Sequence, residues 1–236
     1  MTRPARGRRR PAAVGWLADP PIRLAIGLVG LAVSGLGVHE HGVGRREVAM
    51  FRVVNELPDG LFVPAWALMQ SGSLGAGPAV AALSWASGRP RLAARLALGG
   101  VGSWALSKAI KAVYRRPRPS LLVDGARSRG SEASGLGYVS GHAGVAVALG
   151  VAAFGELGHA GRLATLLAVP GVGLCRIYVG AHLPLDVVGG AAMGLAVDAA
   201  VQSAADLVVA RPLRQPPGLP MFGRLIGARR CVVGRG

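Results

Sequence analysis

The sequence GHAGVAVALGVAAFGEL occupies residues 141–157, and two further apolar runs follow it, LATLLAVPGVGLCRIYV at 163–179 and LDVVGGAAMGLAVDAAVQSA at 185–204. Each run has 17 to 20 residues, and each intervening segment has only five. A helix needs roughly 17–25 apolar residues to cross the hydrocarbon core of a bilayer, which is about 30 Å thick. The stretch therefore predicts three consecutive, antiparallel membrane-spanning helices.

Three earlier apolar runs extend this pattern toward the N-terminus. They occupy residues 22–38, 61–86 and 92–114. A glycine-rich stretch at 71–78 interrupts the middle run, which is either one kinked span or a surface helix followed by a short span. Residues 43–57 mix charged and apolar side chains and are predicted to lie along the membrane interface. The sequence thus predicts an all-α, integral-membrane bundle of six helices.

The composition supports a membrane protein. Of the 236 residues, 51% are hydrophobic and only 16% are charged, and the mean hydropathy is +0.44. About a quarter of the residues of a soluble domain are charged, so the composition argues against an ordinary soluble domain. The high hydrophobicity also excludes a disordered chain. The two cysteines, Cys175 and Cys231, are too few for a disulfide framework or a zinc site of their own.

Basic residues outnumber acidic residues by 27 to 11, and their distribution predicts the topology. Arginines cluster before the first run, between the second and third, between the fourth and fifth, and after the sixth. With six spans these clusters share one face, which the positive-inside rule makes cytoplasmic. The prediction is a multi-pass protein of the cell membrane, with a basic cytoplasmic tail at 1–21, a six-span domain at 22–210 and a second basic cytoplasmic tail at 211–236.

One loop opposes this charge rule. Residues 114–137 are predicted to be extracytoplasmic, yet they contain five arginines. An anionic substrate would explain these charges, and the alternative is that they solvate the loop while the other clusters set the topology. Nucleic acid is not expected as a partner, because the chain has no soluble module beyond its short tails. The expected partners are the lipid bilayer and an anionic lipid.

Polar residues lie beside the ends of the last four apolar runs, in three segments that are far apart in the sequence. The six-span topology predicts that all of these residues lie at the same membrane face. Ionisable residues at such positions are costly and are therefore functional candidates. They are Lys111 and Arg118 after the third run, Ser140, Gly141 and His142 at the start of the fourth, and Arg176, His182 and Asp186 between the fifth and sixth.

The spacing of these residues resembles the type-2 phosphatidic acid phosphatase superfamily, which includes lipid phosphatases, soluble bacterial acid phosphatases and vanadium haloperoxidases. Its signatures are Lys-x6-Arg-Pro, Pro-Ser-Gly-His and Ser-Arg-x5-His-x3-Asp. This sequence has KAVYRRPRP at 111–119, VSGH at 139–142 and CRIYVGAHLPLD at 175–186. Val139 stands where the second signature has proline, and Cys175 stands where the third signature has serine. The resemblance covers residues 92–204.

The chemistry of the candidate residues fits phosphoryl transfer, which mainly needs positive charge placed around the phosphate oxygens. Lys111, Arg118 and Arg176 can supply that charge. Ser140 and Gly141 precede a helix, whose first N–H groups form an anion site. These five residues are the predicted phosphate-binding group.

The resemblance implies the remaining roles. His182 would attack phosphorus to give a phosphohistidine, Asp186 would fix its tautomer, and His142 would protonate the leaving oxygen and then activate water. The resemblance implies no metal and no cofactor, because cationic side chains take that place. Arg115 and Arg116 are not fixed letters of the first motif and are interpreted as headgroup or surface contacts, with contact to the substrate as the alternative.

The sequence therefore predicts a metal-independent lipid phosphatase with its active site at the extracytoplasmic face. The substrate would be a lipid phosphate monoester or diphosphate, such as polyprenyl diphosphate, phosphatidylglycerol phosphate or phosphatidic acid. One alternative is a lipid phosphotransferase that uses the same intermediate with an alcohol acceptor. The other is a non-catalytic membrane protein that binds lipid phosphates.

Overall fold

The computed structural model describes residues 17–41, 43–130 and 135–210. The tail predicted at 211–236 and most of the tail predicted at 1–21 lie outside the described residues. The α-helices of the described part are α1 (Pro20–His41), α2 (Arg45–Asn55), α3 (Phe62–Met69), α4 (Ala76–Ala86), α5 (Pro90–Tyr114), α6 (Gly141–Phe154), α7 (His159–Tyr178) and α8 (Pro184–Ala210). The predicted all-α fold is confirmed.

The long helices run alternately between two faces of the bundle. α1 packs along α8 in the antiparallel direction, because Arg23 donates to Gln202 near one end and Gly37 contacts Leu185 near the other. α6 contacts α5, α7 and α8. We name the face at which α5 and α7 end, and at which α6 and α8 begin, the site face. α1 begins at the opposite face and ends at the site face, as the six-span topology predicts.

Within the described residues, three helices are long and apolar enough to cross a membrane. They are Pro20–His39, His159–Tyr178 and Pro184–Val208, which correspond to the first, fifth and sixth predicted runs. Shorter apolar helices at Ala76–Ala86 and Gly141–Phe154 lie within the second and fourth runs. α5 corresponds to the third run and has 25 residues. At 1.5 Å per residue it measures about 37 Å, which exceeds the thickness of the hydrocarbon core.

The second predicted run is broken into α3 and α4. α3 begins at the site face, where Phe62 contacts Gly130, and α4 ends just before Arg89 at the opposite face. A 3₁₀ turn at Gln70–Gly72 separates the two helices. Gly72, the last residue of this turn, packs on α6, since a Cβ added to it would lie 2.5 Å from the carbonyl oxygen of His142. Of the two alternatives, these contacts agree with one kinked span.

α2 is amphipathic and lies at the site face. It buries Glu47 and Phe51 and exposes Met50 and Val53. Phe51 is in a hydrophobic cluster with the loop that follows α5 and the turn that precedes α8. A helix with exposed apolar residues beside the spans suits the membrane interface, which agrees with the prediction for residues 43–57.

A buried ion cluster joins three helices near the opposite face. Asp198 of α8 accepts hydrogen bonds from Nε and Nη2 of Arg95 at 2.7 and 2.8 Å, and it lies 3.2 Å from Nη1 of Arg23. Arg23 and Asp198 are almost completely buried. Charges inside a membrane protein are tolerated when they are paired in this way, so the cluster fastens α1 and α5 to α8.

Candidate active site

The three sequence motifs meet at the site face. Lys111, in the last turn of α5, donates through Nζ to the carbonyl oxygens of Leu136 at 2.6 Å and Gly137 at 3.2 Å, just before α6. The backbone N–H of Ser140 donates to the carbonyl oxygen of Asp186 at 2.8 Å. These bonds connect the end of α5 to the beginnings of α6 and α8. The structure therefore brings together the residues that the motifs single out.

Three cations line this site. Arg118 lies 3.5 Å from the carbonyl oxygen of Ala181, and Arg176, in the last turn of α7, lies 3.6 Å from Sδ of Met69. Arg118, Arg176 and Lys111 are close enough to interact electrostatically. The buried Nε atoms of Arg118 and Arg176 have no hydrogen-bond partner among the described residues. Because a buried unsatisfied donor is costly, this arrangement suits a bound anion.

His182 lies in the turn between α7 and α8, beside Asp186. Its Nδ1 is 3.6 Å from Oδ2 of Asp186, and that oxygen also accepts a 2.9 Å hydrogen bond from the backbone N–H of Leu183. The separation is just longer than a hydrogen bond, as is common in catalytic pairs before substrate binds. Both side chains are buried.

The environment of His182 keeps its imidazole neutral at neutral pH. Burial is the largest cause that lowers the pKa of His182, the charges of Arg176 and Lys111 also lower it, and Asp186 acts in the opposite direction, so that the pKa of His182 is about 3. A neutral imidazole that directs Nδ1–H toward Asp186 carries a lone pair on Nε2. His182 therefore has the chemical state that a nucleophile requires.

The N-terminus of α6 contributes a further anion-binding element. Ser140 is the N-cap, and its Oγ accepts from the backbone N–H of Ala143 at 3.4 Å. At Gly141 a Cβ would lie 2.9 Å from Oγ of Ser107, so glycine allows α6 to approach α5 closely. The first N–H groups of α6 and its dipole favour negative charge. His142 lies in the same turn, within reach of the charges of the three cations.

The structure corrects the interpretation of Arg116, which is not a headgroup or surface contact. Its guanidinium is buried and donates to Oδ1 of Asp186 at 2.7 Å and to Oε2 of Glu47 at 2.7 Å. Burial lowers the pKa of Arg116, but hydrogen bonds and charges from the two carboxylates outweigh that effect and raise it overall. Arg115 is exposed, as expected. Glu47 lies outside every motif, and no feature of the sequence pointed to it.

The structure also divides the basic loop at 114–137 into different roles. Arg129 donates to the backbone carbonyl oxygens of Asn55, Leu57 and Tyr178 at 2.6–2.8 Å. It also binds Asp59 at 2.8 Å. Arg129 therefore fastens the loop to the segment after α2 and to the end of α7. These contacts give Arg129 a structural role. They account for one of the positive charges of the loop in a way that differs from both predicted alternatives, an anionic substrate and solvation of the loop.

The sequence model of the PAP2 superfamily matches residues 92–206, which contain all three motifs. This segment belongs to the PAP2 superfamily. The expected resemblance to type-2 phosphatidic acid phosphatases is therefore confirmed. The PAP2 segment extends from α5 into α8 and includes every predicted site residue, whereas Glu47 of α2 lies outside it.

Two solved PAP2-like structures are similar to this chain. One is the crystal structure of the first transmembrane PAP2 type phosphatidylglycerolphosphate phosphatase from Bacillus subtilis, with a TM-score of 0.63 and 18% identity over 79% of this chain and 97% of that chain. The other is Aquifex aeolicus LpxE, with a TM-score of 0.62 and 20% identity over 70% of this chain and 98% of that chain. At these identities the likeness shows a shared fold. No curated protein matches the sequence.

Proposed function

We propose that this protein is a membrane lipid phosphatase, which transfers the phosphoryl group of a lipid phosphate monoester or diphosphate first to His182 and then to water. The observation that carries the proposal is the neutral, buried imidazole of His182, held beside Asp186 and near the charges of Arg176 and Lys111. A nucleophile within a group of positively charged donors is the arrangement that phosphoryl transfer needs.

Substrate binding places the phosphate among the three cations. Arg118 and Arg176 offer guanidinium donors, including their buried Nε atoms, and Lys111 adds a point charge. The first N–H groups of α6, after Ser140 and Gly141, bind a further oxygen. Together these groups neutralise the charge of the phosphate and stabilise its equatorial oxygens in the transition state.

In the first chemical step, Nε2 of His182 forms a bond to phosphorus, and the bond between phosphorus and the leaving oxygen breaks. His142 takes up a proton when the bound phosphate offsets the charges of the three cations, and its imidazolium donates that proton to the leaving oxygen, so the lipid leaves as an alcohol or as a lipid phosphate. Positive charge develops on the imidazole of His182, and the carboxylate of Asp186 stabilises it. The product of this step is a phosphohistidine.

In the second step, water attacks the phosphorus of the phosphohistidine. His142, which lost its proton in the first step, accepts a proton from the water, and the bond between nitrogen and phosphorus breaks. Inorganic phosphate leaves and His182 returns to its neutral state. Cationic side chains carry out the charge neutralisation in both steps, so the proposed reaction is independent of a metal.

The membrane setting supports a lipid substrate at the extracytoplasmic face. α2 lies along the site face with apolar residues exposed, and the spanning helices hold the site at the end of the bundle. The positive-inside rule places both termini in the cytoplasm and hence the site face outside. The Bacillus subtilis protein is described as a phosphatidylglycerolphosphate phosphatase, so that lipid belongs in the substrate panel together with phosphatidic acid and polyprenyl diphosphate.

The proposal is tested by measuring inorganic phosphate release from the detergent-solubilised protein, with this lipid panel and with EDTA present. We expect release from at least one lipid, the same rate with and without EDTA, and no release by His182→Ala. Addition of an alcohol acceptor distinguishes the phosphotransferase, which would form a new lipid phosphate in place of inorganic phosphate. No turnover of any lipid, together with tight binding of lipid phosphate, would support the non-catalytic alternative.

A further inference from the structure

A buried ion cluster adjoins the pair formed by His182 and Asp186. Arg116 bridges Oδ1 of Asp186 and Oε2 of Glu47, each at 2.7 Å, and Oε1 of Glu47 accepts from the backbone N–H of Leu185 at 3.1 Å. The side chains of Arg116, Glu47 and Asp186 are only 5%, 7% and 0% exposed. Two short, charge-assisted hydrogen bonds thus connect α2 to the start of α8.

We propose that Arg116 and Glu47 are positioning residues, which orient the carboxylate of Asp186 toward His182 and preserve its negative charge. This inference rests on the proposed phosphatase function and deepens it. Neither residue touches the phosphate in this proposal, and both act through Asp186.

The geometry of the Asp186 carboxylate supports the orienting role. Arg116 occupies Oδ1, whereas Oδ2 receives the backbone N–H of Leu183 at 2.9 Å and lies 3.6 Å from Nδ1 of His182. Because both oxygens are held from different directions, the carboxylate cannot rotate freely about its side-chain bond. Removal of Arg116 would leave Oδ1 without its hydrogen bond. The carboxylate could then rotate, and Oδ2 would no longer hold the imidazole of His182 in one orientation.

The charge balance of the cluster explains why a second carboxylate is present. Arg116 alone would neutralise Asp186 and weaken its effect on the imidazole. Glu47 supplies another negative charge, so two carboxylates and one guanidinium leave one net negative charge. That charge stabilises the positive imidazole which forms when His182 attacks phosphorus. Because Glu47 is present, Asp186 can stabilise the positive charge on His182 although Asp186 is itself paired with Arg116.

The experiment measures the rate of phosphoenzyme formation by rapid quench in alkaline detergent, because a phosphohistidine is stable in base and labile in acid. It uses the detergent-solubilised full chain, ³²P-labelled dioctanoyl phosphatidic acid or another panel lipid that the wild type hydrolyses, and inorganic phosphate as a competitive inhibitor. We expect Arg116→Met to slow formation on the order of 10²-fold, as misplacement of a catalytic group does. Glu47→Gln should slow it about fivefold to tenfold, because a neutral acceptor binds a guanidinium less strongly.

Three readouts separate positioning from a general structural effect. The inhibition constant for inorganic phosphate should stay within about twofold of wild type in both variants, since the three phosphate-binding cations are untouched. Arg116→Lys should recover part of the rate. Arg127→Met, which removes an exposed arginine of the same loop, should leave the rate unchanged.

A double-variant comparison tests whether Arg116 acts through Asp186. In Asp186→Asn, the further change Arg116→Met should slow phosphoenzyme formation less than about threefold, because coupled residues are not additive. The full 10²-fold additional loss in that background would overturn the proposal, as would wild-type rates in Arg116→Met and Glu47→Gln. A parallel weakening of the binding of inorganic phosphate would also overturn it. If Arg116→Met does not fold, Glu47→Gln alone decides by the same criteria.

If the wild type itself forms no phosphoenzyme and hydrolyses no lipid of the panel, the proposed function fails. That result differs from failure of the positioning proposal, in which the wild type is active and the variants match it.

Discussion

Arg129→Met tests whether the basic loop is fastened to the bundle by Arg129 or binds substrate through it. Arg129 donates to carbonyl oxygens of Asn55 and Tyr178 in partly buried surroundings, and to that of Leu57 at an exposed position. Its guanidinium also lies 4.2 Å from the ring centroid of Tyr178. The loss of these contacts determines the size of the expected effect.

The magnitude follows from the partly buried bonds. A hydrogen bond from a charged donor contributes about 1.5–3 kcal/mol, so the two partly buried bonds together account for about 3–6 kcal/mol. The exposed bond to Leu57 and the ion pair to Asp59, whose side chain is 81% exposed, add little because water screens them. For a chain of this size, that loss lowers the melting temperature by roughly 6–24 °C.

The assay is thermal unfolding in detergent, combined with KM and kcat for the best lipid of the panel. Arg127→Met is the matched control, because Arg127 is an exposed arginine of the same loop, and its melting temperature should be unchanged. We expect Arg129→Met to melt early and to keep the wild-type KM at temperatures where it is folded. A wild-type melting temperature with a tenfold higher KM would refute the structural role and show that Arg129 binds the anionic substrate.

Three further predictions concern the site and the topology. His142→Ala should slow the phosphorylation burst far more for a lipid monoester, whose alkoxide leaving group has a conjugate acid of pKa roughly 15–16, than for a lipid diphosphate, whose leaving phosphate has a second pKa of about 6; equal losses would show that His142 is not the acid. In a cysteine-free background, Ser128→Cys and Ser87→Cys should react with an impermeant reagent from opposite sides of the membrane, Ser128→Cys from outside; reaction from one side would contradict the six-span topology. Because the pKa of His182 falls from an ordinary value near 6.5 to about 3 on folding, the folded state loses stability as the pH drops from 6.5 toward 3. Between pH 7 and pH 4, the melting temperature of the wild type should therefore fall further than that of His182→Gln. Equal decreases would contradict a neutral, buried His182.

The motif residues could be predicted to meet because each of them lies near the end of a spanning helix. Alternation of the spans brings the end of α5, the start of α6 and the turn from α7 to α8 to one face. Backbone bonds such as that from Ser140 to Asp186 then set the precise placement. Hydropathy and spacing were therefore sufficient for this part of the site.

Arg116 and Glu47 could not be paired from the sequence. They are 69 residues apart, and Glu47 lies on an amphipathic helix whose pattern indicates a membrane interface and no particular partner. A long-range ion pair leaves no periodic signal along the chain. Tertiary packing decides whether the side chain of Arg116, in the segment after α5, is buried or exposed. Motif spacing contains no information about this packing, so the sequence led to the wrong prediction of a surface contact.

The break within residues 61–86 and the role of Arg129 show two other limits of sequence patterns. Hydropathy averages across the turn at Gln70–Gly72, so the run has the composition of a continuous span although its helix stops and restarts. A guanidinium binds backbone carbonyl oxygens as well as phosphate. An arginine-rich loop is therefore compatible with both anion binding and internal fastening until the contacts of Arg129 are known.

The most direct test of the proposed mechanism is to trap the phosphoenzyme and locate the phosphate. Wild-type protein is mixed briefly with ³²P-labelled lipid phosphate, quenched and analysed by peptide mass spectrometry. We predict a phosphoenzyme that is labile in acid and stable in base, with the phosphate on His182, and its absence from His182→Ala. Formation of the same adduct in His182→Ala, or its attachment to another residue in the wild type, would contradict the assignment of His182 as the nucleophile.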